Sequence, residues 1–318
     1  MLVLALLLLS SSWNVQANGK KYRAGNRSDA IMLPESPVIK YARPNLFLGN
    51  DEYAGPADIW NPKKGFLVQS INPESYSLNF PTTGAHNLYF DLLITGIEPE
   101  ELTWAPVTHE GITATVTNVV ANNDYWIPWE DEGDWGRVVA RVKLTGPEAR
   151  NQWDNPNPSL ITKPQLPQTF ELVGRDIYGV EVVKYGFVLR QWFVNRGTTQ
   201  EGIYRDQLAW CNSLGYRVPR VRDLTNVVCS GLGSGSWCQG LVGATPSSSG
   251  NHYQRHIGAG FFTEWGSMVH YNTVTGFVLD YYWTSDASGS DQFDASSVKG
   301  AVRFTVAFNS RRGLCTAP

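Results

Sequence analysis

Four cysteines are the residues in this chain whose chemistry is most constrained by spacing: Cys211, Cys229, Cys238 and Cys315, all in the last third of 318 residues. A zinc site calls for close cysteine pairs two to four residues apart, and this spacing is missing. An even number of cysteines in an exported chain reads instead as disulfides, with three pairings open. His252 and His256 stand at i and i+4, as metal ligands on a helix do, but no Glu follows His252 and the flanking glycines disfavour a helix. A Ser-His-Asp hydrolase needs its serine on a strained Gly-x-Ser-x-Gly elbow. Gly233-Ser234-Gly235-Ser236 is a flexible Gly/Ser tract instead. Between Asp124 and Trp135, the acidic Asp124, Glu130, Asp131, Glu132 and Asp134 interleave with Trp126, Trp129 and Trp135. That density of carboxylates could hold calcium, yet the EF-hand spacing is not met, and a solvated acidic loop is the expectation.

Composition narrows the partners. The formal net charge is -3 and no Lys/Arg run follows a phosphate backbone, so nucleic acid is excluded as the expected ligand. Twelve tryptophans in a chain that is 12% aromatic must either fill cores or form recognition surfaces. The apolar run Leu2 to Leu9, followed by Val15-Gln16-Ala17, reads as a signal peptide over residues 1–17, with the mature chain starting at Asn18. The run is too short to span a bilayer, so no membrane insertion is expected after cleavage.

Residues 18–64 are rich in Pro, Asn, Gly and charge, without lasting periodicity, and read as an extended N-terminal arm; the Asn26-Arg27-Ser28 triplet in it is taken as chance. From 65 to 182 the pattern changes to short strands. Ile112, Ala114, Val116 and Asn118 alternate with threonines, and Val138, Ala140, Val142 and Leu144 alternate with Val139, Arg141 and Lys143. Turn clusters such as Pro81-Thr82-Thr83-Gly84 and Thr145-Gly146-Pro147 separate the runs, as in an immunoglobulin-like β-sandwich. The proline-rich stretch 151–168 reads as a loop or linker, and residues 169–183 as a hairpin turning at Asp176-Ile177-Tyr178-Gly179.

Residues 183–318 form a second, α+β module. A nearly continuous apolar strand over 185–194 precedes a helix on which Tyr204, Leu208 and Cys211 share a face and Gly215 supplies the cap. Pro219 opens a second helix through Val221, Leu224 and Val228. A Gly/Ser and aromatic-rich region leads to a strand at 281–285, and Val302, Phe304, Val306 and Phe308 alternate in a final strand before Cys315.

This order of elements resembles the C-type-lectin-like fold. More closely, Tyr185-Gly186-Phe187-Val188-Leu189-Arg190-Gln191-Trp192-Phe193, Trp210-Cys211-Asn212-Ser213-Leu214-Gly215-Tyr216-Arg217-Val218-Pro219, Gly258-Ala259-Gly260-Phe261-Phe262-Thr263-Glu264-Trp265-Gly266 and Tyr282-Trp283-Thr284-Ser285-Asp286 look like the adhesion region of enterobacterial intimin/invasin-type adhesins, the invasin E type in particular. The resemblance covers roughly residues 65–318. It implies a mainly β sandwich followed by a C-type-lectin-like domain, at the tip of an adhesin held by an outer-membrane barrel. The barrel and its repeats have no counterpart in these residues. It also implies pairing of Cys211 with Cys315 and of Cys229 with Cys238, a secreted or bacterial cell-surface location, and a host-cell surface receptor, protein or glycan, as partner.

Calcium-bridged sugar binding in lectins of this fold uses Glu-Pro-Asn or Gln-Pro-Asp followed by Trp-Asn-Asp. Neither occurs, and Trp283-Thr284-Ser285-Asp286 stands where the second would, so no cofactor or metal is expected and Trp283 is read as core. The expected contact surface is the irregular stretch 230–280, with Trp237, Tyr253, Arg255, Trp265, His270 and Tyr271 as ligand-binding candidates because aromatic and Arg side chains dominate binding hot spots. No catalysis is expected. The enzyme alternative is the formylglycine-generating oxidases, whose helix region Ala209-Trp210-Cys211 with Arg217-Val218-Pro219 resembles and whose chemistry requires free reactive thiols. A non-adhesive structural or assembly partner is the remaining alternative.

Overall fold

The computed structural model describes residues 36–121 and 136–317; the signal segment, the Asn26 triplet and the acidic loop from Asp124 to Trp135 lie outside the described residues. In chain order the first eleven strands are β1 (Val38–Arg43), β2 (Trp60–Asn61), β3 (Gly65–Leu67), β4 (Thr83–Ala85), β5 (Tyr89–Thr95), β6 (Thr103–Trp104), β7 (Val107–His109), β8 (Ile112–Val120), β9 (Val138–Thr145), β10 (Gln168–Arg175) and β11 (Glu181–Leu189). Two sheets face each other: one ordered β2-β3-β1-β5-β9-β8-β7, the other β11-β10-β6. The expected alternation is visible in burial. Ile112 and Ala114 of β8 and Ala140, Val142 and Leu144 of β9 are buried, whereas their threonine and lysine neighbours are not.

One expectation is corrected here. Val38–Arg43 lies inside the stretch read as an extended arm, yet it is an interior strand of the large sheet, paired with β3 and β5. Prolines bracket it, and the register shifts between Ile39 and Tyr41, so no regular alternation survives in the sequence. Its pairing partner β5 lies far along the chain, and local periodicity carries no trace of a non-local partner.

The second half begins where one apolar run is shared between two sheets. The apolar run 185–194 reads as one strand, but β11 stays in the sandwich, and after Arg190 the chain continues as β12 (Gln191–Asn195) in a separate sheet ordered β18-β12-β4, with β18 at Leu314–Ala317. The Arg190 N–H donates to the Thr82 carbonyl (2.7 Å), which stabilises the crossover. A five-stranded sheet, β13-β17-β14-β15-β16, completes this half: β13 (Glu201–Gly202), β14 (Tyr281–Ser288), β15 (Asp291–Ser296), β16 (Val302–Val306) and β17 (Arg311–Arg312). The short helices are α1 (Tyr204–Ser213), α2 (Val221–Leu224) and α3 (Phe261–Trp265). On α1 the buried face is Gln207, Trp210 and Cys211, one position round from the expected stripe. The second helix is shorter than expected because Thr225 is extended, and the next residue, Asn226, spends its side-chain amide on the carbonyls of Pro246 and Gln254 (3.0 Å each).

A single apolar core runs through both halves. Phe80 stacks on Phe66 (4.9 Å) in the sandwich and meets Trp265 of α3 edge-on (4.9 Å). Trp60, Trp192, Trp210, Trp265 and Trp283 are all fully buried, so much of the aromatic content is structural. Among the described residues no helix is long and apolar enough to cross a membrane.

Candidate receptor-binding site

Two disulfides hold the second half. Cys211 bonds Cys315, joining α1 to β18 across 104 residues, and Cys229 bonds Cys238 across 9. No cysteine is free, which overturns the oxidase alternative, since that chemistry needs a reactive thiol.

Of the six aromatic, Arg and His residues expected to contact a ligand, the fold places four in its interior. Tyr253, Arg255, Trp265 and Tyr271 are fully buried. Trp265 donates its indole N–H to the Thr83 carbonyl (3.0 Å), and the Tyr271 hydroxyl accepts from the Asn45 N–H (2.9 Å). Tyr253 packs edge-on against Tyr53 (5.5 Å). His270 is half-buried against Phe47 (4.6 Å), and burial lowers its pKa. An irregular segment of this length cannot reach the surface with every large side chain; it must bury some of them to be held at all. His252 is buried with Nε2 3.1 Å from the Glu52 carbonyl oxygen, His256 turns to the Ile257 carbonyl, and the two do not converge on a metal position. Trp283 is buried with its N–H on the Gly202 carbonyl (2.9 Å), as a core residue.

Only Trp237 remains as a large exposed member of the expected set, at 49%. It sits at the end of the loop closed by Cys229 and Cys238, with its indole folded over Gly235, where any side chain would collide with the ring. Leu232, 63% exposed, lies in the same loop. Below them opens a groove of about 650 Å³ whose other walls include Glu52, Lys299, Arg303 and Tyr281. Asn251 anchors the loop to the sheet: its amide donates to the carbonyls of Gly233 (3.1 Å) and Val302 (2.8 Å) and accepts from the Val302 N–H (2.8 Å). At the groove floor the Arg303 guanidinium lies over the Tyr281 ring (3.6 Å) and bonds Asp294 (3.2 Å), which Arg311 also contacts (2.5 Å). Burial raises the Asp294 carboxyl above its ordinary range while the two arginines pull it back. Anchored walls, exposed Trp and Leu, and charges of both signs suit a surface that recognises another molecule rather than transforms one.

Two buried charges that sequence reasoning missed, or misassigned, tie remote segments of the fold together. Arg255 was expected at a ligand. Instead its guanidinium donates to three backbone carbonyls, those of Glu264 (3.0 Å), Phe47 (3.3 Å) and Asn45, and lies over Trp60 (4.7 Å). It therefore ties the segment before β2 to α3. Gly266, in the left-handed region at φ 77°, must lack a side chain because a Cβ there would collide with this guanidinium. Replacing the planar fork by a single ammonium, Arg255→Lys, is expected to cost about 2–3 kcal/mol in urea unfolding, because one donor group cannot reach three carbonyls. The second charge, Glu264, accepts from the N–H and hydroxyl of both Thr82 and Thr83 and from the Gly258 N–H (2.5 to 3.2 Å). The quoted segment 258–266 contained this residue, but a lone Glu beside aromatics carries no signal of five donors converging from two segments.

The sequence also matches a known protein over part of its length. It is 31% identical over 117 residues to the inverse autotransporter adhesin YeeJ of Escherichia coli (strain K12), which is 36% of this chain and 4% of that adhesin. The chain therefore spans a small fraction of the relative it matches. No family model matches the chain. Among solved structures, invasin, a bacterial integrin-binding protein, aligns with TM-score 0.46 at 14% identity over 88% of this chain and 39% of that one. The C-terminal 282-residue fragment of intimin, solved with the intimin-binding domain of the translocated intimin receptor, aligns with TM-score 0.46 at 12% identity over 89% of this chain and 66% of that one. The resemblance to intimin/invasin-type adhesion regions, first carried by the four quoted motifs, is thus met again in a direct sequence match to an adhesin.

Proposed function

We propose that this chain is the tip module of a bacterial surface adhesin and that it engages a host-cell surface receptor through the groove beneath the Cys229–Cys238 loop, without calcium. The observation that carries the reading is Trp237: a large aromatic residue, half exposed, fixed over a disulfide-closed loop at the rim of an open groove. Leaving such a side chain in water opposes folding, and rigid exposed aromatics are the residue type that anchors interfaces. The adhesin relative supports the class of function. The sandwich serves as a stalk whose core continues into the binding half, so force on the tip is met by one packed body. The mixed charge of the groove, with Glu52 beside Lys299 and Arg303, favours a protein receptor.

The test is binding of the oxidised protein to cultured epithelial cells and to a glycan array, with and without chelator. Saturable, chelator-resistant binding to cells is expected, weakened about thirtyfold by Trp237→Ala, as for a central hot-spot residue. Array binding with no cell protein captured moves the partner to a glycan. No binding to either surface sinks the adhesin reading in favour of a structural or assembly role.

A further inference from the structure

Among the described residues, the large sheet of the sandwich ends where β7 covers only the first part of β8. β7 and β8 are joined by a two-residue turn, Glu110-Gly111, both in the left-handed region (φ 50° and 77°), which fixes the register His109↔Ile112 and Val107↔Ala114. Main-chain groups alternate sides along a strand, so those of Ile112 and Ala114 bond β7, and those of Val116, Asn118 and Val120 point the same way. But β7 has ended at Val107, and Pro106 before it has no N–H to offer. Among the described residues nothing bonds the outward main chain of Val116, Asn118 or Val120.

Several other edges are met in part by side chains or by bridging chain. Asn251 caps β16 through its side-chain amide, Arg217 pairs with Thr316 along β18, and β11 is met by Asn79, which donates to the Gly186 carbonyl (2.8 Å), and carries Glu181 and Lys184. By contrast, residues 115–120, Thr-Val-Thr-Asn-Val-Val, have no charge, no proline and no bulge against β9. Natural edges avoid this composition because it recruits another strand.

We propose that β8 is a self-association edge, pairing antiparallel with β8 of a second copy of this chain. The sequence is self-complementary about Asn118: with Asn118 facing Asn118, Val116 faces Val120 of the second copy, and the three outward residues form facing bonded pairs worth about six hydrogen bonds. No like charges meet in that register. The Asn118 side chain is already held inward on the Pro99 carbonyl (3.1 Å), so it leaves the main chain clear. Because the edge lies on the sandwich, pairing would give two groove-bearing halves on one assembly, and two-site attachment strengthens binding without any new contact.

Sedimentation equilibrium of the oxidised protein across rising concentration reads this directly. A reversible doubling of mass is expected. Asn118→Pro removes an outward N–H that β9 does not use, and should weaken the dimer tenfold or more. Asn118→Lys, at an exposed position that faces its own copy, places like charges opposite each other while keeping the main-chain N–H, and should leave a monomer with unchanged circular dichroism; this variant carries the test if the proline variant fails to fold. A monomer at all concentrations, or a dimer that both variants leave intact, overturns the proposal.

Discussion

Replacing Cys211 and Cys315 together by alanine is expected to lower stability by about 4–5 kcal/mol, about twice the loss expected for the Cys229/Cys238 pair. The separations decide this: a crosslink closing 104 residues removes far more freedom from the unfolded chain than one closing 9. The native side adds to the effect. Cys315 pairs opposite Val194 in the β12–β18 ladder, and Cys211 lies on the buried face of α1, so the bond fastens the C-terminal strand to the helix behind it. Thermal unfolding of the oxidised protein should therefore show a large fall in Tm for the 211/315 double variant. The 229/238 variant should lose about half as much, about 2.5 kcal/mol, and should lose the proposed cell binding, because that loop carries Leu232 and Trp237. Equal losses of stability in the two variants would contradict the account.

Glu264→Ala should cost about 4 kcal/mol, with no contact to the groove itself. The substitution orphans the N–H groups of Thr82, Thr83 and Gly258 and two threonine hydroxyls, all buried or part-buried, and each unsatisfied donor is costly. It also uncouples α3 from the sandwich loop that carries the donors. Burial pushes the Glu264 carboxyl above its ordinary value of 4.5 even though hydrogen bonds from Thr83, Gly258 and Thr82 oppose the shift. With the folded pKa raised, the folded state binds the proton first as pH falls; this residue's contribution is thus largest below pH 4.5 and declines as pH rises through the folded value. Urea midpoints measured from mild acid to neutral should show that this slope is present in the parent and missing in Glu264→Ala. A Glu264→Ala protein as stable as the parent at neutral pH would mean that water replaces the carboxylate without penalty.

The strands of the sandwich and the order of elements in the second half were legible in the sequence because their signal is local. Two-residue alternation in β8 and β9 places one face inward whatever the partner strand, and the β10–β11 turn at residues 176–179 announces itself by composition. The disulfide pairing came through resemblance of ordered motifs, not spacing, which left three arrangements open. Trp237 was named because aromatic and Arg side chains dominate hot spots, and the fold leaves it half exposed; the same rule also selected Tyr253, Arg255, Trp265 and Tyr271, and these are core. Residue type is shared by hot spots and cores; which one a given Trp or Arg serves depends on what packs over it.

Tertiary structure alone decided those assignments, along with the recruitment of Val38–Arg43 into the sheet and the Arg255 and Glu264 hubs. In each case the partner is remote in sequence: β5 for β1, the carbonyls of Asn45 and Phe47 for Arg255, Thr82 and Thr83 for Glu264. A buried charge is tolerated only when such partners converge on it, and convergence is a property of three-dimensional closure that no window along the chain contains.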